Sequence, residues 1–411
     1  MDDVLLEDDE ILRPDRVADP YPYLAGMREH DPVHWNEDHR AWFLHRYDDI
    51  FESLRDPRFS SDRIRPVYED RLSPEQRELR KPTFDVLLNW MVFMDPPDHT
   101  RVRKLVMPAF TPNAVAKMRP RVAEVVEESM ANVRDRESFD FIRDFAYPVP
   151  AIIIAELIGV PPEDRDLFKH WSDEILVLVF GAAGGPERRE RAQKALVELT
   201  EYLRGLIDTV AANPGDNIIS NLLAIQDASG EPPLTEGELI STLALLVFGG
   251  HETTTNLMAN GTRVLMQHPQ QWARLRDEPT LIRSAVEEIL RFDGPSKMEA
   301  RVMIDDVELR GKTLRKGDQV FFSQGAANRD HRVFANPDTF DIARTPNRHL
   351  GFGHGLHHCL GNFLARLEGE IAFASIVENL DGLRPSATEP EVWHPTLMSR
   401  GMISFPVERT L

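Results

Sequence analysis

Stretches with an apolar residue every three or four positions alternate along this chain with shorter pieces of period two, and the helical pattern dominates. Residues 30–64 carry strand-like pieces, "PVHW" and "AWFLHRY", broken by charged turns. From Thr111 to about Val210 the pattern is mostly helical, with a Gly/Pro interruption, "FGAAGGPE", at 180–187. A second irregular stretch, "ANPGDNIISNLLAIQDASGEPP", ends at Pro233. Thr235 and Glu238 then form a capping box, and Leu239, Leu243, Leu246 and Val247 follow at helical spacing. Nothing breaks this pattern until His268-Pro269. The expected helix is about 30 residues long, against a mean near 11 or 12.

A second helix is predicted over about 279–292, followed by the strand-like "EARVMI", "VELRG" and "TLRKGDQVFFS". The Pro/Asn/Asp-rich stretch 327–348 reads as a long loop, and long loops in compact domains are usually functional. A last helix is expected to start at Cys359–Leu360, with Leu360, Phe363, Leu364, Leu367 and Ile371 on one face. The fold class is mainly α with a minor β portion, expected as a single domain over 1–411.

Composition narrows the function classes. A net charge of −20 over 411 residues argues against nucleic acid or an anionic membrane as the main partner. The acidic start, "MDDVLLEDDEILRP", lacks the basic and apolar regions of a signal peptide. The longest apolar runs, "ILVLVFGAA" and "LALLVFGG", fall short of the roughly 20 residues that span a bilayer. One cysteine excludes an internal disulfide and a four-cysteine iron–sulfur cluster. The expected location is cytoplasmic.

Chemistry concentrates in "HLGFGHGLHHCLG", residues 349–361, which holds that cysteine among four histidines and four glycines. Zinc sites usually pair their ligands, as in Cys-x2-Cys, and this pattern does not. A nucleotide loop would need a hydrophobic strand before it and a completed Gly-x-Gly-x-x-Gly. A buried cysteine in a glycine-rich turn is the bland reading. The alternative is a single anionic sulfur at a helix N-terminus, where backbone N–H groups favour a thiolate. Its glycines would fold the backbone around the sulfur, and Gly361 would admit a bulky group.

"FGHGLHHCLG" resembles the haem-ligand loop of the cytochromes P450, Phe-x-x-Gly-x-(Arg/His)-x-Cys-x-Gly. The resemblance implies haem b (iron protoporphyrin IX), held between a long distal helix and the Cys loop, with Cys359 as axial thiolate. It implies that Phe352 shields the sulfur and that His357 contacts a propionate. "FGGHETTTN" (248–256) is similar to the family's (Ala/Gly)-Gly-x-(Asp/Glu)-Thr segment. By that match Gly249 and Gly250 leave room for dioxygen, and Glu252 and Thr253 relay protons. Glu288 and Arg291 of "EEILR", with Arg344, match a structural triad. His99 and Arg103, four apart on one helical face, and Arg301 match cations that pair with propionates. A metalloprotease reading of "HETTT" fails because residue 255 is threonine.

The resemblance to bacterial members without a membrane anchor, and about 50 residues after the Cys helix, leave no expected fused reductase or ferredoxin domain. Electrons are expected from a separate ferredoxin or flavodoxin with its reductase. Arg103, Lys104, Arg344, Arg348 and Arg366 are candidates to dock such an acidic partner. The implied activity is O2-dependent monooxygenation of a small hydrophobic substrate: hydroxylation, dealkylation or epoxidation. A gas or redox sensor is the competing reading, disfavoured by the Glu252–Thr253 pair. Expected pocket residues are Leu88, Val92, Ile175 and Val179, then Leu246, Val247 and Phe248. Met298, Glu299, Leu397 and Met398 complete the set, with Glu299 facing either substrate or solvent.

Overall fold

The computed structural model describes residues 10–180, 186–228 and 232–410. The "FGAAGGPE" interruption and the Ser229–Glu231 part of the second irregular stretch therefore lie largely outside the described residues. Helices dominate, as the apolar period dictates, and the strands are short. The described residues group into two compact units. One is drawn from Met1–Phe59, Arg119–Pro150 and Thr253–Leu411, the other from Ser60–Met118 and Ala151–Glu252.

In the first unit, strands follow the spatial order Val33–Asn36, Ala41–Leu44, Gln319–Ser323, Met298–Met303. The middle pair is parallel, setting Trp42 beside Val320, and the last pair is antiparallel, setting Arg301 opposite Val320. Phe43, Met298, Leu24 and Met27 bury one side, and Leu44, Phe322, Val320 and Phe59 bury another. "TLRKGDQVFFS" is two strands, Lys312–Leu314 and Gln319–Ser323, separated by a turn at Gly317 with φ +92°. The helix Asn362–Asn379 packs against Arg119–Ala131, Ile282–Asp293 and Pro269–Asp277. Gly261 permits this close packing, since a Cβ there would sit 2.8 Å from Ile289 and against Phe373.

The second unit is helical. Arg165–Phe180 and Pro186–Ala212 pack along one another, with the Trp171 and Tyr202 rings 5.4 Å apart. The long helix forms over Glu236–Gln267, with its residues up to Glu252 in this unit, and its capping box is present: Thr235 N–H donates to Glu238 at 2.8 Å, and Glu238 N–H to Thr235 Oγ1 at 3.2 Å. Among the described residues no helix is long and apolar enough to cross a membrane.

Candidate functional site

Cys359 is half-buried in a loop shaped by its glycines. Gly353 and Gly355 have φ of +68° and +72°, left-handed values that glycine adopts without a Cβ clash. At Gly355 a Cβ would also lie 2.8 Å from the Leu54 carbonyl oxygen. The fold-back lets Cys359 N–H donate to the Phe352 carbonyl at 2.9 Å, closing the loop around the sulfur. Arg366 stacks its guanidinium 4.4 Å over the Phe352 ring.

The helix starts at Asn362, three residues later than the sequence pattern suggests, with Gly361 as its N-cap. Asn362 Nδ2 donates back to the Cys359 carbonyl at 2.8 Å, which holds Leu360 and Gly361 in a turn. Cys359 thus precedes the helix rather than lying in its first turn. Phe363 also departs from expectation: it is 42 % exposed, whereas Leu364 and Leu367 are buried.

Glu287 anchors both ends of this loop. Its carboxylate meets His349 Nε2 at 3.0 Å and accepts from Arg366 Nε at 2.6 Å. Burial works against its charge, but these two partners outweigh burial and bring its pKa down to about 2. His354 stacks on Phe51 at 4.2 Å, so the histidines of the loop point to separate tasks. Among the described residues no three His, Cys, Asp or Glu side chains cluster as a metal site, which leaves the zinc reading without a ligand set.

Glu288, Arg291 and Arg344 do come together. Arg291 donates to Glu288 at 2.7 and 2.8 Å, and Arg344 Nε at 3.1 Å to both oxygens. Asp341 N–H and Asn347 Nδ2 complete the carboxylate's shell at 3.0 and 3.2 Å. The two guanidiniums also take the carbonyls of Asn328, Ala335, Asn336, Pro337 and Thr339. The long loop before the Cys motif therefore hangs on one buried carboxylate. Arg344 and Arg366 form ion pairs within the fold, with Glu288 and Glu287, whereas Arg348 is exposed.

His99 and Arg103 fall on one helix, Asp98–Val106, with His99 only 1 % exposed. Arg301, on the strand Met298–Met303, donates to Glu299 and to the Ala300 carbonyl. Gln324 Nε2 also donates to Glu299 at 3.1 Å. Glu299 is thus held by Arg301 and Gln324.

At Gly361, two residues after Cys359, a Cβ would meet no described atom within 4 Å. With a lone loop-borne thiol, this is a donor and space arrangement that fits a bulky planar group with one sulfur ligand. At Gly250 a Cβ would lie 2.7 Å from Ile154, so its small size is needed for helix packing.

The expected pocket residues do not behave alike. Ile175, Val247 and Phe248 are buried, Leu88 and Leu246 partly so, and Val92 is 41 % exposed. The side chain of Val179 lies outside the described residues. Met298 belongs to the core with Leu24 and Met27, and Leu397 packs against that cluster. Backbone pairing brings Met298 N–H to the Met398 carbonyl at 3.2 Å. Trp90, fully buried and 5.6 Å from the Phe248 ring, carries no sequence signal beyond its neighbourhood. Asn256 is also missed. It donates to Ser399 at 3.4 Å and packs so tightly on Gly401 that no side chain fits there.

Comparison with known proteins agrees with this geometry. The family described as Cytochrome P450 matches residues 35–402. Cytochrome P450 CYP107DY1 of Priestia megaterium is 35 % identical, covering 97 % of this chain and 98 % of its own. Cytochrome P450 monooxygenase PikC of Streptomyces venezuelae is 38 % identical, over 96 % and 92 %. CYP109E1 from Bacillus megaterium, solved in complex with testosterone, superposes with a TM-score of 0.85 at 33 % identity, over 97 % and 99 %. The chain belongs to the cytochrome P450 family, monooxygenase oxidoreductases with haem b as cofactor.

Proposed function

We propose that this P450 inserts one atom of O2 into a largely hydrophobic small organic molecule, acting as a single domain in the cytoplasm with electrons from a separate ferredoxin or flavodoxin and its reductase. The observation that carries this reading is the loop that presents Cys359, closed by its own N–H on Phe352 and tied at both ends to Glu287. Cys359 would supply the axial thiolate, with His99, Arg103, Arg301 and His357 gripping the propionates. When bound, the haem supplies O2 activation, and the thiolate's electron push favours O–O cleavage.

The protein's own part is proton and substrate handling. The second oxygen atom leaves as water, which requires two electrons and two protons. Glu252, 8 % exposed, and Thr253 follow one another on the long helix as an acid and a hydroxyl able to hold and pass those protons. Apolar Ile175, Val247 and Phe248 suit a hydrophobic substrate. The testosterone bound to a structural relative supports a substrate of that character, without naming this one. Exposed Leu356 and Phe363 with Arg348, at the Cys loop and its helix, offer an apolar and cationic surface for an acidic electron donor.

The test is the dithionite-reduced carbon monoxide difference spectrum, followed by turnover with a surrogate ferredoxin and reductase. A strongly red-shifted Soret band, lost in Cys359→Ser, is expected. A Soret band typical of histidine-ligated haem overturns the thiolate assignment.

A further inference from the structure

Glu299 is a singled-out residue that the proposed chemistry leaves without a task. It precedes Arg301 by two positions on a strand, so both side chains leave the same face. The pair is largely enclosed, with side-chain exposures of 21 % and 7 %. Arg301 donates one amino group to Glu299 and the other to the Ala300 carbonyl, at 2.9 Å. Gln324 fixes the second carboxylate oxygen at 3.1 Å, and Ser296 in turn holds Gln324. The acid also approaches the Cys loop: a Cβ at Gly353 would lie 3.4 Å from Glu299 Oε2. The carboxylate therefore sits, oriented by two donors, between the loop of Cys359 and an arginine proposed to grip a haem propionate.

We propose that Glu299 is a fixed negative charge at the haem edge that competes with a haem propionate for Arg301, keeping the iron's reduction potential low and the haem more readily released. The inference rests on Arg301 as a propionate partner. One guanidinium facing two carboxylates divides its donors between them, and the surplus negative charge stabilises ferric over ferrous iron. Neutralising Glu299 leaves Arg301 wholly to the propionate. Both effects act in the same direction on the iron. Interaction between unit charges across a partly buried site is large enough to alter the ferrous-to-ferric ratio about tenfold at fixed potential.

The experiment uses the haem-loaded full chain. Spectroelectrochemical titration gives the potential, and transfer of haem to excess apomyoglobin gives its release rate. Glu299→Gln keeps an acceptor for Gln324, so local hydrogen bonding survives. It is expected to raise the ferrous-to-ferric ratio about tenfold and to slow haem release roughly fivefold. Glu299→Asp keeps the charge and is expected to track the unaltered protein in both measurements. Arg301→Ala is expected to speed release, and adding Glu299→Gln to it is expected to bring no slowing. If Glu299→Gln changes neither quantity while Arg301→Ala speeds release, Glu299's role is overturned and the propionate reading of Arg301 stands. If Arg301→Ala leaves release unchanged, both fall.

Discussion

Glu288 and Glu368 are both sealed from solvent, at 0 % and 1 % exposure, on two helices that pack against each other. Their surroundings differ. Glu288 accepts hydrogen bonds from Arg291 and Arg344, two guanidiniums that offset the cost of burying a charge. At Glu368 burial pushes the pKa up to about 8, and the Thr254 hydroxyl opposes this only weakly. One buried glutamate is clamped between two guanidiniums, and burial favours the neutral form of the other. Burial alone therefore does not decide what an acid in this core does; the nearest cation does.

Removing the clamp is the most severe way to break that comparison. Glu288→Ala leaves two buried arginines uncompensated, and a loss of about 3–5 kcal/mol in urea unfolding is expected. Glu368→Gln is expected to have its effect in pH dependence. Above its usual value near 4.5 the unfolded carboxyl ionises, while the folded one stays protonated up to about 8. The native protein therefore loses stability as pH rises through that window, at up to about 1.4 kcal/mol per pH unit. Glutamine cannot ionise, so unfolding of this variant from pH 5 to 8 is expected to show a flatter dependence. An unaltered slope contradicts the neutral assignment.

Two milder changes sharpen the contrast. Asn347→Ala removes one neutral donor from Glu288 and is expected to cost about 1 kcal/mol in the same unfolding experiment, because both arginines remain. Thr254→Val removes the one hydroxyl that favours the Glu368 anion. Its expected effect is the smallest: the upper edge of the pH window moves further up, read as the pH at which the stability curve levels off.

The chain discloses its local order well and its long-range pairings poorly. The long helix was legible because its capping box and apolar period lie in contiguous residues, and both are formed. Glu288, Arg291 and Arg344 were legible through family resemblance, not spacing, since Arg344 closes the triad from a distant loop. Glu287 was invisible beside them because its partners, His349 and Arg366, arrive from far along the chain. The start of the Cys helix was misread because a helical apolar pattern continues through Leu360–Gly361, where the Asn362 side chain holds a turn. Met298 was placed at the pocket by family resemblance alone. The strand's period of two puts it in a core cluster, on the other face from Glu299 and Arg301.

The grip of Glu287 on both His349 and Arg366 makes the segment between them a ring closed by noncovalent bonds. A ring already closed has lost its loop entropy during folding. With Cys359 as the proposed ligand, cofactor insertion would meet a preorganised thiol, and the free energy of an iron–sulfur bond would go into retention rather than into ordering the chain. The reverse case is a small metal domain that folds only when its ion arrives. On this account Glu287→Ala weakens haem binding without touching the ligand, by returning that ordering cost to the binding step.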